Sequence, residues 1–408
     1  MQDLDLLSRL LGLEPPWRMT RAELKLERGR IEALVEYEGE GRCPLCDRVM
    51  PRHDHRERTW RHLDIFQYAF YVTARAPRVR CQEHGVQQLP VPWAEGRSGF
   101  TALFERAAIS LLLQMSITGA ARHLKVSWDE MDGIMMRSVA RGLSRREGRL
   151  IRFIGVDEKA IKKRHKYFTI VSDLESGTVL YVGRGRKQEA LDAFWRKLSA
   201  AQLAAVEGVA MDMWAPYFES TTTYLPDAAS KIVFDKYHLV SYLTKAVDLT
   251  RRRTMRDTSL DREALKGTKY SWLRNPRNMT NEQRRKVSSL ALRYRSLGRA
   301  WAIKESFAHF WTYVRESSAR SFFKSWFGWA SRSRIPAMID VAYTLKRHFE
   351  NIITYLRLRI TNASAEALNA KLQWIKFQAR GYRNEERFER AIMFHCGGLD
   401  LYPAHHKV

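Results

Sequence analysis

From residue 151 onward, short apolar runs alternate with amphipathic stretches. Ile151-Arg-Phe-Ile-Gly-Val-Asp157-Glu158 predicts a buried strand ending on an acidic residue. A second strand is expected over 167–172, a turn over 173–177 and a third strand over 178–182. An amphipathic helix over 188–198 follows. Val206-Glu-Gly-Val-Ala-Met-Asp212 then predicts another apolar strand terminating in Asp, and after a helical segment over 216–225 comes a last short strand over 231–235. In the stretch 362–376, Leu368, Leu372, Ile375 and Ala379 form one apolar stripe at helical spacing, with Glu366, Asn369 and Gln373 on the opposite face. Earlier in the chain, 65–72 has strand character and 102–113 helical character. The stretch 119–131 predicts two short helices about a turn at Val126-Ser127, where Ser127 and Glu130 form a capping box.

Three strands in a meander, then helix, strand, helix, strand, is the order of a ribonuclease-H-like sheet, in which the ends of the first and fourth strands are neighbours. Asp157 and Asp212 would converge there. Two close carboxylates repel unless cations lie between them. Oxygen donors suit Mg²⁺, and a pair of such ions clamps an in-line phosphoryl displacement. Glu366 is the candidate third carboxylate. From Asp212 to Glu366 is 154 positions, so 236–358 is expected to be an inserted segment. It reads as helical, with 17 Lys and Arg against 5 Asp and Glu in 236–300. Its tryptophans (Trp272, Trp301, Trp311, Trp326, Trp329) are expected mostly in the core.

Composition sharpens this reading. The chain has 408 residues, 70 Lys and Arg against 45 Asp and Glu, a formal charge of +25 and a pI near 10.1. Such a surplus attracts polyanions, and nucleic acid is the commonest. No apolar run is long enough to span a bilayer, and the first residues lack the pattern of a signal peptide. A reducing, cytoplasmic setting is expected, nucleoid-associated where DNA is the partner. The four cysteines then have no disulfide framework to serve. Cys43-Pro-Leu-Cys46 and Cys81-Gln-Glu-His84 have the two-residue spacers of zinc knuckles, so a structural Zn²⁺ held by Cys43, Cys46, Cys81 and His84 is expected. His53 and His55 remain alternatives for the fourth ligand.

These residues, together with Gly155-Val-Asp157-Glu158, Asp212-Met-Trp214, Asp235-Lys-Tyr-His238 and the run Asn362 to Asn384, resemble the ISL3 family of insertion-sequence transposases over almost the whole chain. The chain departs from the family pattern at Ala363 and Leu372, with Lys371 one place early, and His84 stands where a cysteine is more usual. The resemblance implies a DDE triad of Asp157, Asp212 and Glu366 holding two Mg²⁺ (or Mn²⁺). That centre would cut the terminal inverted repeats and transfer the freed strand to target DNA. It implies DNA contacts by Arg122, Lys125 and Trp128 in the helix-turn-helix, by His238 near the scissile strand, and by Lys371, Lys376, Arg380 and Arg383. Two ends must be processed together, so a homodimer on DNA is expected, with no membrane partner.

The expected architecture is an α/β ribonuclease-H-like catalytic core (149–235 and 359–400) interrupted by an all-α insertion (236–358). N-terminal strands with a zinc ribbon (1–98) and a helix-turn-helix (99–148) precede it. A non-catalytic sequence-specific DNA-binding regulator and a ribonuclease-H-like nuclease or resolvase are the competing readings.

Overall fold

The computed structural model describes residues 3–146, 148–162, 166–257, 259–361 and 364–404, without the side chains of 3, 161, 162 and 364–366. Compactness divides the chain into two units, Met1–Glu147 with Ile375–Val408, and Gly148–Trp374. This division differs from the four expected domains: residues from Ile375 on cluster with the N-terminal part.

The first unit holds a mixed five-stranded sheet. Its strands are β1 (Trp17–Lys25), β2 (Arg30–Tyr37), β3 (Arg52–Ile65), β4 (Tyr68–Cys81) and β5 (Gly85–Gln88). The order is β1-β2-β4-β3, with β5 also on β4. Val35, Trp60, Phe70, Val72 and Ala74 are buried on one face, where Trp93 meets Trp17 and Trp60 edge-on. The run 65–72 is not one strand. β3 and β4 are arms of a hairpin that turns at Phe66 and Gln67, with Phe66 at φ 53° and 91% exposed. No Gly or Asn marks that turn, so its apolar residues read as strand.

The helix α1 (Asp3–Leu10) precedes β1, and after the sheet come α2 (Ala102–Leu112), α3 (Ile117–Leu124) and α4 (Trp128–Arg145). Ser127 caps α4 and the expected capping box with Glu130 is formed. Lys125, at φ 54°, makes the turn between α3 and α4. Buried Glu105 on α2 receives Arg137 and Arg141 from α4. The last helix, Glu385–Cys396, joins α4 through Arg390 to Asp132 at 2.9 Å.

The second unit is built on β6 (Phe153–Lys162), β7 (Lys166–Asp173), β8 (Val179–Arg184), β9 (Gly208–Met211) and β10 (Ile232–Phe234), in the order β10-β9-β6-β7-β8. β6, β9 and β10 run parallel, while β7 is antiparallel to both β6 and β8. β6 does not stop at Asp157: it continues to Lys162 because β7 pairs with it beyond that point. Every described element between Lys236 and Leu358 is helical. These helices share one apolar core with the sheet, from Ile154, Val209 and Phe234 through Trp272, Phe307 and Trp326 to Leu356. Trp272, Trp311 and Trp326 are buried as expected, whereas Trp329 is exposed.

Candidate active site and metal centre

β9 joins the sheet beside β6 in a parallel ladder that pairs Phe153 with Gly208, Ile154 with Val209 and Gly155 with Ala210. Carried two residues further, the same offset brings Asp157, within β6, level with Asp212, the residue just past the end of β9; neighbouring strands lie about 5 Å apart. The two carboxylates have matching surroundings. Asp157 Oδ1 accepts the backbone N–H of Glu158 at 2.8 Å, and Asp212 Oδ1 that of Met213 at 2.7 Å. Asp157 Oδ2 accepts from Asn369 Nδ2 at 3.1 Å, and Asp212 Oδ2 lies 3.3 Å from His238 Nδ1. Among the described residues, neither carboxylate pairs with a Lys or Arg, in a chain carrying +25.

Two helices bring those partners. Asp235 caps the helix Lys236–Thr254 by accepting from Tyr237, which sets His238 in its first turn. Burial raises the Tyr242 phenol, one turn further on, and the negative charge of Asp212 adds to it. Burial likewise pushes up the Tyr217 phenol, and Glu158 and Asp157 reinforce the shift against its hydrogen bond with Thr169.

The helix Ser364–Gln378 carries Asn369. Leu368, Leu372 and Ile375 of its expected apolar stripe are buried, while Ala379 is exposed. Glu366 belongs to this helix one turn before Asn369, but its side chain lies outside the described residues. Arg380 and Gly381, both at positive φ, end the helix, and Asn384 caps the next one. The run Gly381-Tyr-Arg-Asn384 therefore has a structural task; Lys371, Arg380 and Arg383 are exposed and Lys376 is half-buried. Sequence reasoning placed Asn369 with Glu366 on the polar face of this helix, without a partner. Its bond to a residue 212 positions away had no local signal.

In the first unit, Cys43, Cys46, Cys81 and His84 converge, with their ligand atoms all within 4.8 Å of one another. Cys43 Sγ is 3.7 Å and Cys81 Sγ 3.5 Å from His84 Nδ1, and Cys46 Sγ is 3.8 Å from Cys81 Sγ. The Asp47 N–H to Cys43 carbonyl bond, 2.8 Å, closes the first knuckle, and the β4–β5 turn with Gly85 at φ 68° closes the second. The backbone N–H of His84 holds the Cys81 thiol below its ordinary value, against burial. Three soft thiolates and an imidazole fit tetrahedral Zn²⁺. His53 and His55 stand exposed on β3, so His84 completes the set. Of the expected DNA contacts in this unit, Arg122 is exposed. Lys125 is 3.6 Å from Asp64, and half-buried Trp128 has the Arg387 guanidinium 4.4 Å from its ring.

Known proteins share these parts in the same order. The family model for the zinc-finger of transposase IS204/IS1001/IS1096/IS1165 matches residues 39–84, and that for the helix-turn-helix domain of transposase family ISL3 matches residues 89–139. A third model, described as a transposase, matches residues 154–392, more than half of the chain. The chain belongs to the ISL3 family of transposases. Among its relatives, the transposase for insertion sequence element IS1557 of Mycobacterium tuberculosis is 29% identical over 388 residues, covering 88% of this chain and 86% of that one. The transposase for insertion sequence element IS1001 of Bordetella parapertussis is 26% identical over 352 residues, covering 85% and 86%. No helix among the described residues is long and apolar enough to cross a membrane.

Proposed function

We propose that this chain cuts DNA at the terminal inverted repeats of an insertion sequence and joins the freed strand to a target. Asp157, Asp212 and Glu366 would be the carboxylates of a two-ion centre. The observation that carries this reading is the β6–β9 register, which, continued two residues, brings the two aspartates level, with no Lys or Arg paired to either among the described residues. Like charges so close are unfavourable unless a cation or a proton intervenes, and an all-oxygen set suits Mg²⁺ or Mn²⁺. Bound there, two such ions would supply positive charge to the attacking and leaving oxygens of a phosphodiester. We place the ribonuclease-H-like core at 149–235 and 359–400, with the helices of 236–358 as its insertion; the strand order and directions within 153–234 support the first part.

The chain's own residues then have distinct tasks. The N–H groups of Glu158 and Met213 each fix one carboxylate oxygen, and the other is left towards Asn369 or His238. Asn369 has no charge to compete with a cation, so it orients Asp157 without neutralising it. Glu366, one helical turn before Asn369, is the nearest acidic position on that helix to join the pair. His238 holds Asp212 and stands ready for the scissile strand. Arg122, Lys125 and Trp128 would contact the repeat, while Lys371, Lys376, Arg380 and Arg383 would hold phosphates. Two copies would act together because a transposon has two ends, and the zinc knuckles would brace the N-terminal sheet.

The joining step separates this reading from a plain nuclease. With Mg²⁺, a pre-cleaved end duplex and a supercoiled plasmid, the wild-type chain is expected to yield end DNA covalently joined to plasmid. Cleavage of flanked ends without joined product at any metal concentration would favour the nuclease reading instead.

A further inference from the structure

Beside the aspartate pair lies a stack of flat groups for which the proposed reaction has no use. Glu158, next to Asp157, is 3.5 Å from the Arg186 guanidinium. That guanidinium lies over two rings, with its central carbon 4.4 Å from the Tyr167 centroid and 5.0 Å from the Trp214 centroid. The Trp214 indole N–H donates to the Arg186 carbonyl at 2.9 Å. Trp214, two residues after Asp212, is therefore held in orientation by one hydrogen bond and one cation–π contact.

The ring is nevertheless 39% exposed, while Met213 beside it packs on the core and Trp195 and Trp272 are fully buried. A tryptophan serving only the core would hide its ring, and a mobile surface one would not have its N–H satisfied by backbone. A fixed ring with a guanidinium over one face keeps the other face for a flat ligand. Glu158 neutralises Arg186, so the arginine serves Trp214 as a rigid backing more than as a phosphate anchor.

We propose that Trp214 is the stacking platform for one unpaired nucleobase of the DNA strand at the reaction centre. The inference rests on the reading of Asp157 and Asp212 as that centre. A backbone phosphate reaches a pair of recessed carboxylates more readily when the adjoining base leaves its stack, and every base offers a π-face to an aromatic ring. Arg186, clamped between Tyr167 and Trp214, keeps the platform from rotating away.

The test uses the full-length zinc-loaded chain at low salt, where a charge of +25 secures sequence-independent binding. The probes are a duplex with a single unpaired 2-aminopurine at its end and the same duplex fully paired. Trp214→Ala is expected to weaken binding of the unpaired probe by roughly 5- to 150-fold. Affinity for the paired probe and the melting temperature should stay unchanged, and the 2-aminopurine fluorescence change on binding should be lost. Trp214→Phe should keep most of both signals. An unaltered affinity ratio and fluorescence change in Trp214→Ala would overturn the proposal, and so would an equal loss on both probes that Phe does not restore. Either result leaves the carboxylate centre standing, because that is judged separately by cleavage in aspartate variants.

Discussion

His62 shows how burial alone gives a side chain a measurable role. It is buried on β3 with Nδ1 2.8 Å from the Thr101 hydroxyl, and burial, followed by the charge of Arg61, lowers its pKa to about 4. Between that value and roughly 6.5, the unfolded chain takes up a proton that the folded one refuses. The His62 contribution to stability should therefore be level above pH 6.5 and fall as pH drops towards 4, by at most about 3 kcal/mol. Thermal melting from pH 7.5 to 4.5, compared between wild type and His62→Gln, reads this out. A difference between the two that does not change with pH would contradict it. At this scale the sequence was legible where chemistry is local: Asp157 and Asp212 each close an apolar run, and Ser127 and Glu130 have capping-box spacing. It was not legible where partners are remote. Nothing near Asn369 announces Asp157, and nothing near Trp214 announces Arg186.

Elements were read well where periodicity is clean and poorly where turn chemistry is atypical. The second unit's strand order emerged from apolar runs broken by amphipathic helices, because a sheet covered by helices needs that alternation. The β3–β4 hairpin was hidden because Phe66 takes a left-handed turn position that normally advertises itself with Gly or Asn. β6 was cut short at Asp157 because an acidic residue reads as a strand end, whereas its pairing with β7 carries it to Lys162. The zinc knuckles, one between β2 and β3 and the other at the β4–β5 turn, form a small cluster with Val79, apart from the Trp17–Trp93–Trp60 packing that holds the rest of that sheet. Metal removal should thus be a local event. Chelation is expected to release about one Zn²⁺ per chain. Amide protection should then fall over 41–51 and 79–88 and persist on the strands around Trp60. Protection unchanged over the knuckles after metal release would contradict a structural role.

On the scale of the whole molecule, the surplus of basic residues and the helix-rich stretch of 236–358 belong to one account. Asp212 and Glu366 are 154 positions apart in the chain, and the helices between Lys236 and Leu358 share the apolar core of the sheet that carries Asp157. Sequence spacing showed that something intervenes, but not that it packs as part of the same core, since core sharing depends on contacts between remote helices. Nor did it show that residues from Ile375 on cluster with the N-terminal unit, where Arg390 and Asp132 pair across 258 positions. If Asp157 and Asp212 perform the DNA chemistry together, neutralising one should stop the reaction and spare binding. The most direct measurement compares wild type with Asp157→Asn on one labelled end duplex, following binding by electrophoretic shift and Mg²⁺-dependent strand cleavage in parallel. Binding is expected within about twofold of wild type and cleavage lower by roughly a thousandfold or more. Cleavage by the Asn variant at the wild-type rate would contradict that joint role.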